Sequence, residues 1–266
     1  MKTVFCLLWT ATGTTSRRKY KYYRLSTQEK IIEVRNLVKK FGSFTANDNL
    51  NFDVFSGEIF GFLGANGAGK TTAIKILCGL SSPTSGKAIV AGYDVSKYPN
   101  KVKSSIGYMS QKFSLYDDMT VKENFRFYGG IYGLNAKQIK EKTKYFLHKL
   151  DMEETRDMVL KQIPLGWKQK LAFSVANIHD PKIVFLDEPT GGVDPITRRQ
   201  FWEMIYETAD SGTTVFVTTH YMDEAEYCHR VSIMNEGKIE ALDTPDKLKQ
   251  KYKVNTMNDV FIKIAR

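Results

Sequence analysis

The sequence predicts an α/β fold with a mainly parallel sheet, and three observations carry that expectation. Short apolar runs bounded by turn residues alternate with stretches of helical spacing, one apolar run opens through a cluster of glycines into such a stretch, and two later runs are continuously apolar, as strands buried on both faces are. Taken in order, Ile31 to Val34 and Leu50 to Val54 read as an antiparallel β start. Thr45 to Asn49 lies as a polar connection between them, and Ser56-Gly57 as a turn. Ile59 to Leu63 is a short buried run, and Thr71 to Cys78 follows helical spacing until Gly79. The middle, Val121 to Val159, is helical in character, with Phe125, Tyr128, Ile131, Ile139, Tyr145, Phe146, Leu147 and Leu150 recurring on faces among many Lys and Glu. Ile183 to Leu186 and Thr214 to Thr218 read as parallel strands around the amphipathic stretch Thr197 to Ala209. Val231 to Met234 and Lys238 to Ala241 flank the hairpin signal Asn235-Glu236-Gly237, and Thr244-Pro245 starts a last helix.

With 266 residues and 42% hydrophobic content, the chain can bury a sizeable core. Its longest uninterrupted apolar run near the start, Val4 to Trp9, is far short of the roughly 20 residues of a spanning helix and shorter than a usual signal-peptide core. Cys6, Cys78 and Cys228 are widely spaced, which argues against a disulfide framework or a zinc site and fits a reducing cytoplasm. The net charge of +10 is uneven: residues 1–30 carry seven basic residues against Glu29, or +6, which leaves +4 for the rest. This segment is expected to be a basic, disordered leader; the body is too mildly basic to point to nucleic acid.

Gly64-Ala65-Asn66-Gly67-Ala68-Gly69-Lys70-Thr71 matches the phosphate-loop pattern G-x-x-x-x-G-K-[ST] in full, in the strand–loop–helix context it requires. Only a loop with little side chain lets successive N–H groups converge on phosphate oxygens, and the following helix, starting Thr71-Thr72, adds the positive end of its dipole. Lys70 can reach the outer phosphates and Thr71 can ligate Mg²⁺. The apolar run Ile183 to Leu186 delivers Asp187 and Glu188, which fit the metal-side acid and the base for an attacking water.

From about Ile31 onward the chain resembles the nucleotide-binding domain of ABC transporters. The resemblance rests further on Gln111 in Tyr108-Met109-Ser110-Gln111, on Gly191-Gly192-Val193-Asp194, on Thr218-Thr219-His220, and on Phe41 in Lys40-Phe41-Gly42. It implies a P-loop NTPase core with an N-terminal antiparallel β-subdomain, an inserted α-helical subdomain at about 112–175 and a short C-terminal extension at about 242–266. It also implies that Phe41 stacks on adenine, that Gln111 touches metal and water, that His220 orients the γ-phosphate, and that ATP with Mg²⁺ is hydrolysed to ADP and phosphate. Its implied partners are an integral-membrane permease subunit and a second ATP-binding subunit, either another copy or a close relative, at the inner face of the cell membrane. Relatives that act on nucleic acid or ribosomes usually carry coiled-coil insertions, zinc-finger cysteines or tandem ATPase domains.

One motif departs from the family. Where the family signature reads LSGGQ, this chain has Ile163-Pro164-Leu165-Gly166-Trp167. In the family this segment, with the aspartate of the loop at Asp194, completes the nucleotide site of the opposite subunit. Pro164, Leu165, Gly166 and Asp194 are therefore expected to act in trans, with Pro164 costing a hydroxyl and an N–H. That favours slow hydrolysis; a weakly hydrolysing regulatory subunit is the limiting alternative. The Pro-Leu-Gly start and Met257 to Ile262 resemble the drug-export branch, which favours export.

Overall fold

The computed structural model describes residues 29–111 and 115–264. The basic leader apart from Glu29 and Lys30, the run Val4 to Trp9, Cys6 and the first residues of the expected helical subdomain lie outside them. Two sheets organise the chain. The first is antiparallel, in the order β2-β1-β4-β5, from β1 (Lys30–Phe41), β2 (Phe44–Phe55), β4 (Ser85–Val90) and β5 (Tyr93–Asp94). The second has the order β10-β9-β3-β8-β7-β6. It comprises β3 (Ile59–Gly64), β6 (Ile106–Met109), β7 (Ile183–Asp187), β8 (Thr214–Thr219), β9 (Arg230–Asn235) and β10 (Lys238–Asp243). All its pairings are parallel except β9 with β10, as the continuous apolar runs predict.

The helices are α1 (Lys70–Leu77), α2 (Pro99–Ser105), α3 (Val121–Ile131), α4 (Ala136–Lys149), α5 (Leu165–Ala176), α6 (Pro195–Asp210), α7 (Pro245–Tyr252) and α8 (Met257–Ile264). Both middle helices begin with a capping box, Thr120 with Glu123 on α3 and Asn135 with Gln138 on α4, so two orphan N–H groups are satisfied at each start. Thr244 caps α7, with Pro245 in its first turn.

Strand alternation sets the two cores. On β3, Phe60 and Phe62 face the first sheet and α1, while Ile59 and Leu63 face the side that carries α3, α5, α6, α7 and α8. Phe52, Phe60, Phe62, Phe185 and Phe216 form one aromatic cluster with ring centroids 5.2–6.4 Å apart. Burial of each such ring stabilises by about 1.5–3 kcal/mol. The sheets are also joined by a buried ion pair. Glu58 is fully buried and accepts from Arg230 Nε at 2.5 Å and Nη2 at 3.0 Å, while Nη2 also donates to the Asp53 carbonyl at 2.6 Å.

Two expectations are corrected. Thr45 to Asn49 is not a connection but the first half of β2: the turn falls at Gly42-Ser43, with Gly42 at φ +60°, a conformation glycine adopts without strain. Ile131 and Tyr145 do not join the buried face of the middle helices; they are 62% and 57% exposed, because α3 and α4 pack through Phe125, Phe146 and Leu147.

Candidate functional site

The phosphate loop leaves β3 and closes onto α1 through two left-handed glycines, Gly67 at φ +84° and Gly69 at φ +102°. Close approach adds a second reason for glycine. A Cβ on Gly69 would lie 2.3 Å from the Ala46 carbonyl oxygen, and one on Gly64 2.6 Å from that of Met234. Ala65, Asn66 and Gly67 are exposed at the crest, while Ala68 and Lys70 are buried. The loop is braced from below by Asn47, fully buried on β2, whose Nδ2 donates to the Gly69 carbonyl at 3.1 Å. The Gly237 N–H donates to Ala68 O at 3.1 Å. Asn47 escaped sequence reasoning because an Asn in a polar stretch signals a loop.

Lys70 Nζ donates to the carbonyls of Gly64 (2.8 Å) and Ala65 (3.1 Å) and lies 3.6 Å from Glu188 Oε1. Burial lowers its pKa, opposed by the charges of Glu188 and Asp187. Asp187 ends β7 beside β8, where Thr218 Oγ1 donates to it at 2.7 Å and Thr71 also hydrogen-bonds to it. Burial nevertheless raises its pKa.

Glu188 is the most constrained of the group. It sits at φ +50°, a left-handed conformation that costs a non-glycine residue about 1–3 kcal/mol and is retained where the surroundings hold it. They do so here: its N–H donates to Thr218 Oγ1 at 3.0 Å, and the Gly191 N–H donates to its carbonyl at 3.2 Å. The twist aims the carboxylate at three partners. Oε2 accepts from Gln111 Nε2 at 2.9 Å and lies 3.0 Å from His220 Nδ1, and Oε1 faces Lys70. An ionised carboxylate only accepts, so the His220 contact requires the proton on Nδ1. Lys70, Thr71, Gln111, Asp187, Glu188 and His220 are thus gathered at the C-terminal ends of β3, β6, β7 and β8.

The remaining candidates fall into two groups. Phe41 stands at the tip of the β1–β2 hairpin, 56% exposed, with Lys39 Nζ 5.0 Å from its ring. The same hairpin supplies Ala46 and Asn47 to the phosphate loop. Pro164 is the N-cap of α5, without a side-chain capping bond, and Leu165 and Gly166 form its first turn. Asp194 caps α6, accepting from the N–H of Ile196 and Thr197 at 3.0 Å each and from Thr197 Oγ1 at 2.6 Å. Thr197 joins the two, because a Cβ on Gly166 would lie 2.7 Å from its Cγ2. Among the described residues no hydrogen bond or ion pair links these four to Lys70 or Glu188.

The residues fit Mg²⁺. Thr71 and Asp187 offer hard oxygen donors in direct contact with one another. Among the described residues no three or more His, Cys, Asp or Glu side chains are grouped so as to hold a metal ion by themselves, so an ion here would share its shell with phosphate and water, as Mg²⁺ does.

A loop, strand ends and glutamate of this arrangement define a phosphate-loop nucleotide site, and the comparisons agree: the family model described as ABC transporter matches residues 47–191. The chain belongs to the ABC transporter ATP-binding family. It is 49% identical over 221 residues to the probable multidrug ABC transporter ATP-binding protein YbhF of Escherichia coli, an alignment that covers 83% of this chain and 38% of that protein. Thus the chain spans well under half the length of that relative. It is 34% identical over 219 residues to the Nod factor export ATP-binding protein I of Cupriavidus metallidurans, covering 82% of this chain and 72% of that one. A solved ATP-binding subunit of an ABC transporter superposes with a TM-score of 0.80 at 24% identity, covering 88% of this chain and 99% of the other, a likeness of fold.

Proposed function

We propose that the chain binds ATP with Mg²⁺ and hydrolyses it to ADP and phosphate, and that this drives export through a separate membrane permease. The observation that carries the reading is the convergence of Gln111, His220 and Lys70 on the strained Glu188 at the mouth of the phosphate loop. Glu188 is the base: its carboxylate takes a proton from the attacking water, while Gln111 and His220 hold it in orientation. Lys70 balances phosphate charge, the loop N–H groups from Gly67 to Thr72 orient the phosphates, and Phe41 stacks on adenine. Thr71, Asp187 and Gln111 would hold Mg²⁺, which would supply neutralisation of phosphate charge.

A second ATP-binding subunit, a copy or a close relative, would present Pro164, Leu165, Gly166 and Asp194 to this site and receive the same in return. The Pro164 ring cannot donate where the family has a serine hydroxyl, so basal turnover is slow. The permease is assigned to an apolar groove of about 410 Å³ lined by Leu80, Ile106, Tyr108, Leu115, Tyr132 and Val175. Tyr108 on β6 and Ser110 just after it line this groove, and Gln111 is the next residue. Such a partner would hold the chain at the inner face of the membrane; no helix among the described residues is long and apolar enough to cross one. The relatives named for multidrug transport and Nod factor export favour export. Residues 31–266 form one nucleotide-binding domain in this reading.

Phosphate release by the purified chain tests it. Glu188→Gln is expected to keep ATP binding while turnover falls at least about a hundredfold, the scale of a lost general base. Lys70→Ala is expected to weaken binding itself. Unchanged turnover in Glu188→Gln would remove the assignment of the base.

A further inference from the structure

Beside the site lies a buried acidic side chain with no part in the mechanism above. Glu224 is fully buried, in the short turn that follows His220 by four residues. Its Oε1 accepts from Thr190 Oγ1 at 2.6 Å, and Thr190, itself buried, follows Glu188 by two residues. Arg198 Nε, on the first turns of the helix capped by Asp194, lies 3.7 Å from the same oxygen. The Arg198 guanidinium also stacks at 4.3 Å on Tyr221, the ring that packs 4.1 Å from His220. Glu224 Oε2 has no hydrogen-bond partner among the described residues.

A carboxylate buried with one hydroxyl and a loosely placed guanidinium is costly, and an apolar side chain would fill the space without that cost. What the carboxylate does provide is a joint. The loop after β7 carries Glu188 and Asp194, and the segment after β8 carries His220. They meet once through Glu188 and His220 and again, behind them, through Thr190, Arg198 and Glu224. We propose that Glu224 is a positioning residue which, through Thr190 and Arg198, ties the His220 segment to the Glu188–Asp194 loop and so holds the His220 imidazole on the Glu188 carboxylate. This rests on the hydrolytic reading above, but its geometric half does not.

The test uses the whole chain with Thr190→Val, which removes the hydroxyl at nearly constant shape, Thr190→Ser, which keeps it, and Glu224→Gln, which keeps an acceptor but removes the charge. Thr190→Val and Glu224→Gln are expected to lower kcat about tenfold, equivalent to roughly 1.4 kcal/mol at the barrier, with KM for ATP within twofold of the parent. Thr190→Ser is expected to recover most of the rate. In parallel, the imidazole ¹⁵N signals of His220, identified by their loss in His220→Asn, are expected to shift in Thr190→Val while those of His179 and His229 stay in place. The proposal is overturned if kcat is unchanged and the His220 signals do not move. It is equally overturned if thermal stability and kcat fall while KM rises and Thr190→Ser is impaired like Thr190→Val, the pattern of a packing residue. If the parent itself hydrolyses no ATP, the functional reading fails, and the His220 signals alone then decide whether the joint exists.

Discussion

Replacing Arg230 by Met asks what the ion pair between the two sheets is worth. The guanidinium makes both contacts to the Glu58 carboxylate and covers the rings of Phe55 and Phe60 at 4.8 and 5.4 Å. After Arg230→Met the Phe55 N–H, at 2.9 Å, is the remaining donor recorded for a carboxylate that has no access to solvent. Removing one partner of a buried pair costs about 3–5 kcal/mol, whereas replacing both is often close to neutral. Methionine retains part of the apolar contact with the rings, so the charge dominates the outcome. At about 2–4 °C per kcal/mol for a domain of this size, the melting temperature should fall by roughly 6–20 °C. The double variant Glu58→Gln with Arg230→Met should return to within about 2 kcal/mol of the parent. Thermal unfolding and urea denaturation, each followed by circular dichroism at pH 7, measure the two. A loss under about 1 kcal/mol for Arg230→Met, or a double variant no better than the single one, would refute the reasoning.

Other perturbations bear on the site and its surroundings. Gly166→Ala should push Thr197 off Asp194, an overpacking cost of about 1–3 kcal/mol against a helix-propensity gain of at most about 1 kcal/mol. Adding Thr197→Ser, which removes the clashing Cγ2, should restore stability in urea, and failure to do so would exclude this clash as the cause. Phe41→Ala should leave stability nearly unchanged, because the ring is mostly exposed, yet weaken fluorescent ATP-analogue binding about tenfold if stacking supplies 1–3 kcal/mol; unchanged affinity would leave Phe41 as a bystander. Burial lowers the pKa of His179 and of His229 to about 4. Between that value and the unfolded value of about 6.5 the unfolded chain binds protons that the fold does not, so stability is complete above pH 6.5 and is lost as pH falls, by at most about 3 kcal/mol per histidine. A urea midpoint that stays level from pH 7 to pH 5 would show that the two rings titrate normally.

What was legible in the sequence is what local geometry compels. Gly67 and Gly69 are required by positive φ, Lys70 follows them, and Asp187 and Glu188 end an apolar strand, so these could be read as chemistry from spacing alone. The β2 strand is only half legible because Thr45 to Asn49 looks like a loop; within it Ala46 and Asn47 meet the phosphate loop, Asn47 reaching Gly69 across 22 residues. The exposure of Ile131 and Tyr145 is not legible, because helical spacing shows which residues could share a face, not how much of that face a neighbour covers. Thr190, Glu224, Glu58 and Arg230 carried no signal at all. Their meaning lies in contacts across 34 and 172 residues, and no local pattern records them.

The strand order has a consequence for the birth of the molecule. The strand that launches the phosphate loop, β3, has β8 and β9 as its two neighbours, with Phe60 paired to both Phe216 and Arg230. During synthesis, at about 5–20 residues per second, the loop sequence therefore exists for many seconds with neither flank of its strand occupied. Glu58 must stay hydrated over the same interval, since its cation arrives 172 positions later. A nascent chain halted before β8 should fail to retain nucleotide although every residue of the loop is already made, and the exposed edges of β3 are where a chaperone would find it.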